Sequence, residues 1–140
     1  ENYGFQSHQG VMDQLTSGGR YQEAINFSAQ RYGFPAGTYN SSLPRGIAGT
    51  TNMLTGEVSI GSSAFTPSTM LQATGFHEGV HVQQFLRGAA QWGGSRIINA
   101  PMLEMEASRQ TLLNASRLGL SKEVIKNEIW YYNYNAALGE

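Results

Sequence analysis

Residues 66–88 read TPSTMLQATGFHEGVHVQQFLRG, and the fold turns on how this stretch is read. Thr66-Pro67 offers a hydroxyl cap followed by proline at a first helical position, and Gly88 falls just past Arg87. The spacing predicts one helix from Pro67 to Arg87. Within it His77 and His81 stand about 40° apart around the axis, so both imidazoles point to one side. Glu78 is turned by about 100° from His77, beside whatever the two rings face. Gly75 and Gly79 lie on the opposite side. Each costs a helix interior up to about 1 kcal/mol against Ala, so that side is expected to pack closely on another element, with the upstream hairpin as the candidate.

That hairpin covers Ile47 to Ile60. Two β-prone runs flank Thr55-Gly56, Val58 and Ile60 alternate with Glu57 and Ser59, and Gly61-Ser62-Ser63 closes it. Further upstream, Tyr21, Ile25, Ser28 and Tyr32 recur at helical spacing until Gly33, and Phe34-Pro35 opens a loop to Gly46. Residues 1–19 are polar and glycine-punctuated, and are expected to be a loosely ordered segment with a short helix from His8 to Leu15. Downstream, residues 88–100 read as a connection, a helix runs from Pro101 to Leu118, and Ser121 caps a last helix ending in Trp130-Tyr131-Tyr132-Asn133-Tyr134. The order of helices, hairpin and three helices predicts an α+β fold in one domain, residues 1–140, with the 77–81 motif on a central helix.

Composition narrows the chemistry. The chain has 140 residues, 14% of them charged, and a formal net charge of −1. Lys and Arg are scattered, which disfavours a nucleic-acid surface. There are no cysteines, so disulfide scaffolds, thiol catalysis and Cys-ligated zinc are excluded. No apolar run is long enough to span a bilayer. Residues 1–5 have neither a basic nor an apolar signal region and no initiator Met, which fits a piece released or excised from a longer chain.

H-E-x-x-H on a helix places two imidazoles on one metal and a carboxylate next to a metal-bound water. Zinc lowers that water's pKa to about 7, where Glu78 can take the proton. A catalytic zinc also needs a third protein ligand. Asp13 is the sole Asp and His8 the only other His. Downstream, Glu104 and Glu106 lie on the helix best placed to pack against the motif. Glu104 shares its face with Ala107, Ser108, Thr111, Ala115 and Leu118, where a carboxylate is costly unless paired or ligating. Glu106 shares the polar face with Arg109 and Gln110 and reads as a surface residue, with ligation as its alternative. The strand Glu57–Ile60 is a candidate edge for holding an extended peptide. Tyr131, Tyr132 and Tyr134 are possible donors to a developing oxyanion, but an aromatic cluster there reads first as core, and none is assigned.

The motif His77-Glu78-Gly79-Val80-His81, with Glu104-Met105-Glu106-Ala107-Ser108 downstream, resembles the gluzincin branch of the zincin metallopeptidases. In several of those families the second segment is E-x-x-A-D and its first Glu binds zinc, which implies Glu104 here; Ser108 stands where they often carry Asp. Residues 49–61, GTTNMLTGEVSIG, together with the Phe76–His81 motif, are similar to metallopeptidase domains at the C-termini of Rhs-repeat and related polymorphic toxins. The resemblance implies a minimal zincin-like domain released from a larger precursor and delivered by secretion into a target cell. It further implies a protein substrate there and a cognate immunity protein.

The function expected from these observations is zinc-dependent peptide hydrolysis by a monomer, with Zn2+ on His77, His81 and Glu104 and with Glu78 as general base. Its rivals are hydrolysis of cell-wall peptide cross-links and a zinc-stabilised interaction module without turnover. A metal-dependent nuclease is disfavoured by the near absence of Asp and by the neutral charge.

Overall fold

Hydroxyl caps and left-handed glycines punctuate the helices of the computed structural model, which describes residues 7–139. The Ser7 side chain accepts from the Gly10 N–H and starts α1, His8–Ser17. This helix buries Val11, Met12 and Leu15. The segment expected to be loosely ordered is therefore a core helix over residues 8–17; its first six residues lie outside the described ones. Helix α2, Tyr21–Tyr32, buries Ala24, Ile25, Ser28, Ala29 and Tyr32, and ends at Gly33 with φ 78°, a backbone conformation that suits glycine.

Three short strands follow, β1 (Thr38–Tyr39), β2 (Gly49–Thr51) and β3 (Val58–Ile60). The expected hairpin is the antiparallel β2–β3 pair, with Thr50 opposite Ser59. Strand β1, absent from the sequence reading, adds in parallel on the other side of β3, giving the order β1-β3-β2. So β3 is central and cannot be the peptide-holding edge; β2 is the edge of this pair. Val58 and Ile60 bury one face of β3, while its backbone pairs on both lateral sides, with β1 and with β2.

Helix α3, Met70–Leu86, carries the motif and starts three residues later than expected. Thr66-Pro67 is a cis turn rather than a cap, and Thr69, at φ 76°, redirects the chain before the helix begins. The Thr69 hydroxyl accepts from the Ser121 N–H at 3.1 Å, tying this entry to the start of the last helix. The connection that follows holds a second small hairpin, β4 (Trp92–Gly93) with β5 (Arg96–Ile97). The single helix expected from Pro101 to Leu118 is two, α4 (Ala100–Leu113) and α5 (Ala115–Leu118), interrupted at Asn114. Ser121 caps α6, Lys122–Leu138, by accepting from the Val124 N–H, as read from the sequence.

The apolar core joins α1, α2 and β3 to Ala64, Leu71 and Leu118. Met12, Ile25 and Ile60 are each at most 1% exposed, and such burial is worth about 1.5–3 kcal/mol apiece. Helix α3 lies centrally, packed on α2 and the sheet on one side and on α4 and α5 on the other. Its glycines face Phe34 and Pro35, not the hairpin. A Cβ on Gly75 would come within 2.2 Å of the Phe34 ring, and one on Gly79 within 3.2 Å of Pro35. No helix among the described residues is long and apolar enough to cross a membrane.

Candidate metal centre

Helical spacing on α3 brings His77 and His81 side by side, with ring centroids 5.0 Å apart, and both are buried. Ligand atoms of His77, Glu78 and His81 all lie within 4.8 Å of one another, so this buried group could hold a metal ion. Helix α4 packs across α3 and delivers Glu104 to the same place. One carboxylate oxygen lies 2.5 Å from His81 Nε2, and the other 3.5 Å from His77 Nε2. Both rings thus turn the same nitrogen to the same carboxylate.

Each ring also has a buried partner on its far side. His77 Nδ1 lies 3.5 Å from Glu128 Oε2 of α6, close enough for charge attraction but without a hydrogen bond. His81 Nδ1 lies 2.7 Å from Gln84 Oε1. The Thr51 hydroxyl, from β2, sits 2.8 Å from Glu78 Oε1 and 3.2 Å from the Glu78 carbonyl. The Tyr131 ring of α6 lies tilted 5.8 Å from the His77 ring.

These contacts set the charges. Burial opposes a charged His77, but Glu104 and Glu128 outweigh it and raise its pKa to about 10. His81 is raised against burial in the same way, chiefly by Glu104. Burial raises the Glu78 carboxyl above the usual range, although the imidazoles and Thr51 pull it down. Partial burial opposes the charge of Glu104 too, yet its bonds to both imidazoles hold it well below the ordinary carboxylate value. Burial and the nearby Glu104 carboxylate push the Tyr131 hydroxyl up. The result is one carboxylate fixed as an anion beside another whose proton affinity is increased.

The group opens into a cleft of about 510 Å³ between β2 on one wall and α4 and α6 on the other. Ile47, Met53, Met70, Ile97 and Leu103 supply its apolar lining. Comparison with protein-family models, curated proteins and solved structures gives no match. What the centre can do therefore rests on its own geometry.

Of the residues singled out in the sequence, His77, Glu78, His81 and Glu104 come together. His8 does not: its Nδ1 accepts from Arg31 Nε at 2.6 Å, and its ring lies 6.0 Å from Phe27. Glu106 is not a plain surface residue paired along its own helix. It accepts from Gln84 Nε2 of α3 at 2.8 Å and forms an ion pair with Arg87, just past the end of α3, and the Gln84 bond leads in holding its pKa down. Of the three tyrosines, Tyr131 alone lines the cleft. The sequence reading missed Thr51, Gln84 and Glu128. A signal existed for Glu128: it shares a buried face with Val124, Tyr131 and Asn135 at spacings of four, three and four, the same inward-carboxylate argument that selects Glu104.

Proposed function

We propose that this chain is a zinc-dependent peptidase with a minimal zincin-like fold, in which His77, His81 and Glu104 hold the metal and Glu78 is the general base. The observation that carries the reading is the convergence of both Nε2 atoms on Glu104, with Glu78 alongside. Two imidazoles and a carboxylate make a donor set suited to zinc. Glu104 fits the third place better than Glu78, because it touches both rings whereas one oxygen of Glu78 is engaged by Thr51. Bound there, zinc would supply Lewis acidity.

The chain's own residues do the rest. Glu78, with its raised proton affinity, takes a proton from a water in the cleft and returns it to the departing amine. The hydrogen bond from Thr51 holds one Glu78 oxygen and leaves the other for that transfer. Tyr131, which lines the cleft, has one hydroxyl hydrogen to donate toward charge that develops there.

An extended peptide also has a place to lie. Ala48 accepts from the Gly61 N–H and the Asn52 N–H donates to Glu57, both at 2.8 Å. The antiparallel alternation therefore turns the N–H and C=O groups of Gly49 and Thr51 away from β3, along the open edge beside the cleft. Peptide or protein is accordingly the proposed substrate. Delivery as a toxin domain with a cognate immunity protein belongs to the same proposal, supported by the sequence resemblance of residues 49–61 and 76–81.

Elemental analysis of purified protein tests the centre, with cleavage of a protein panel and of purified peptidoglycan read in parallel. One equivalent of zinc, lost in His77→Ala and Glu104→Ala but kept in Glu78→Gln, is expected. Glu78→Gln should lose about a hundred- to ten-thousandfold in kcat while still binding metal, the rate that a positioned base supplies. Full activity in Glu78→Gln, or no zinc uptake by the unmutated protein, would overturn the reading. Cleavage of peptidoglycan alone would move the substrate from protein to cell-wall cross-links.

A further inference from the structure

Gln84 is 0% exposed and sits between the two helices that carry the proposed ligands. Its amide nitrogen donates to the Leu103 carbonyl at 2.9 Å and to Glu106 Oε1 at 2.8 Å. Neither partner can donate in return, so that end of the side chain must be the NH2 and both of its hydrogens are committed. The oxygen end therefore faces His81 Nδ1 at 2.7 Å, and an amide oxygen only accepts. His81 must then carry a proton on Nδ1, which reserves Nε2, 2.5 Å from Glu104, for the metal. Flipping the amide would set NH2 against a ring N–H and oppose its oxygen to a carbonyl and a carboxylate.

We infer that Gln84 is a positioning residue whose amide, locked by Glu106 and the Leu103 carbonyl, fixes the tautomer and aim of His81. Arg87 extends the chain outward by pairing with Glu106, so the relay runs Arg87, Glu106, Gln84, His81 from the surface to the centre. This gives Glu106 a role distinct from ligation and from plain solvation. The inference rests on the proposed reading of His81 as a metal ligand. No such lock holds His77: its Nδ1 makes no hydrogen bond, and Glu128 Oε2 lies 3.5 Å away.

Imidazole 1H–15N spectra of the zinc-loaded, unmutated protein test the tautomer directly. The expected result is a proton on His81 Nδ1 and metal on Nε2; the reverse assignment overturns the inference. Zinc affinity, measured by competition with a chromophoric chelator, tests the lock. Gln84→Met keeps length without an acceptor and should weaken zinc by about 10- to 100-fold, the usual loss when a ligand's outer partner is removed. Glu106→Leu should weaken it in the same direction, whereas Lys122→Ala, at the exposed start of α6, should not. Equal zinc affinity in Gln84→Met and the unmutated protein overturns the inference alone. An unmutated protein that takes up no zinc overturns the peptidase reading and the inference with it. If Gln84→Met fails to fold, the spectrum of the unmutated protein decides.

Discussion

Thr51 links the sheet to the base. Its hydroxyl supports the charged form of Glu78 at 2.8 Å in a buried place, where burial works against that charge. A hydrogen bond to a charged group is worth about 1.5–3 kcal/mol, so its loss is felt in rate rather than in fold. Thr51→Val keeps the shape and removes the donor. It should lower kcat/KM by about tenfold and move the acidic limb of the pH profile to higher pH, because Glu78 must be deprotonated to act and would hold its proton more strongly. An unchanged profile in Thr51→Val would remove Thr51 from the mechanism. At this scale the ligands were legible in the sequence, because two His on one helix face and a Glu on an inward face carry their own geometry. Thr51 and Gln84 were not. The partner of Thr51 lies 27 residues away, and although Gln84 is only three residues from His81, the Leu103 carbonyl and Glu106 that orient its amide lie 19 and 22 residues away. Glu128 was legible by the rule that found Glu104, but it lies on the last helix, which the sequence reading took for aromatic packing.

At the scale of elements, the approach of β2 to α3 controls where Glu78 sits. A Cβ on Gly49 would lie 2.8 Å from Thr74 Cγ2 and 3.1 Å from Glu78 Cγ, so this strand reaches the helix because it has no side chain there. Gly49→Ala should push β2 outward, cost about 1–3 kcal/mol as overpacking does, and reduce activity through displacement of Glu78 and Thr51. Thr74→Ser removes the methyl that Gly49→Ala would strike. The double variant Gly49→Ala/Thr74→Ser should therefore regain part of both stability and rate, measured by thermal melts and kcat. Failure of the double variant to recover either would show that the close approach is not what the glycine serves. The helices themselves were readable from caps and periodicity; their limits were not always so. Proline after Thr66 suggested a helix start, but the turn to Thr69 and its tie to Ser121 depend on a residue 52 positions away. Gly75 and Gly79 signalled a close contact correctly, while the partner, Phe34 with Pro35, follows from how α2 exits at Gly33. Strand β1 has only two residues and becomes a strand through its pairing with β3.

For the molecule as a whole, α3 divides two unlike interiors. On one side α1, α2 and the sheet bury apolar side chains; on the other, α4 and α6 bury Thr111, Ser108, Glu128 and Asn135 beside Leu103, Ala107 and Val124, and the candidate centre opens there. The second half therefore depends on charge. His77 has its pKa raised from 6.5 to about 10, so its contribution to metal-free stability is complete below pH 6.5 and lost as pH rises through 10. Glu78, raised above 4.5 by burial, acts in the same sense, since charging it inside the protein costs stability. Glu104, lowered from 4.5, contributes above that pH and loses its contribution as pH falls below it. Metal-free protein should accordingly melt highest between about pH 4.5 and 6.5. Zinc must displace the imidazole protons to bind, so its stabilisation should run the other way. At fixed free zinc each proton displaced tightens binding by about tenfold per pH unit, or about 1.4 kcal/mol. For a chain of 140 residues that corresponds to roughly 4 °C per unit. The gap in melting temperature between zinc-loaded and metal-free protein should thus widen steadily from pH 6 to pH 8. A gap that stays constant over that range would mean that zinc binds without displacing protons from His77 and His81, and would place the metal elsewhere.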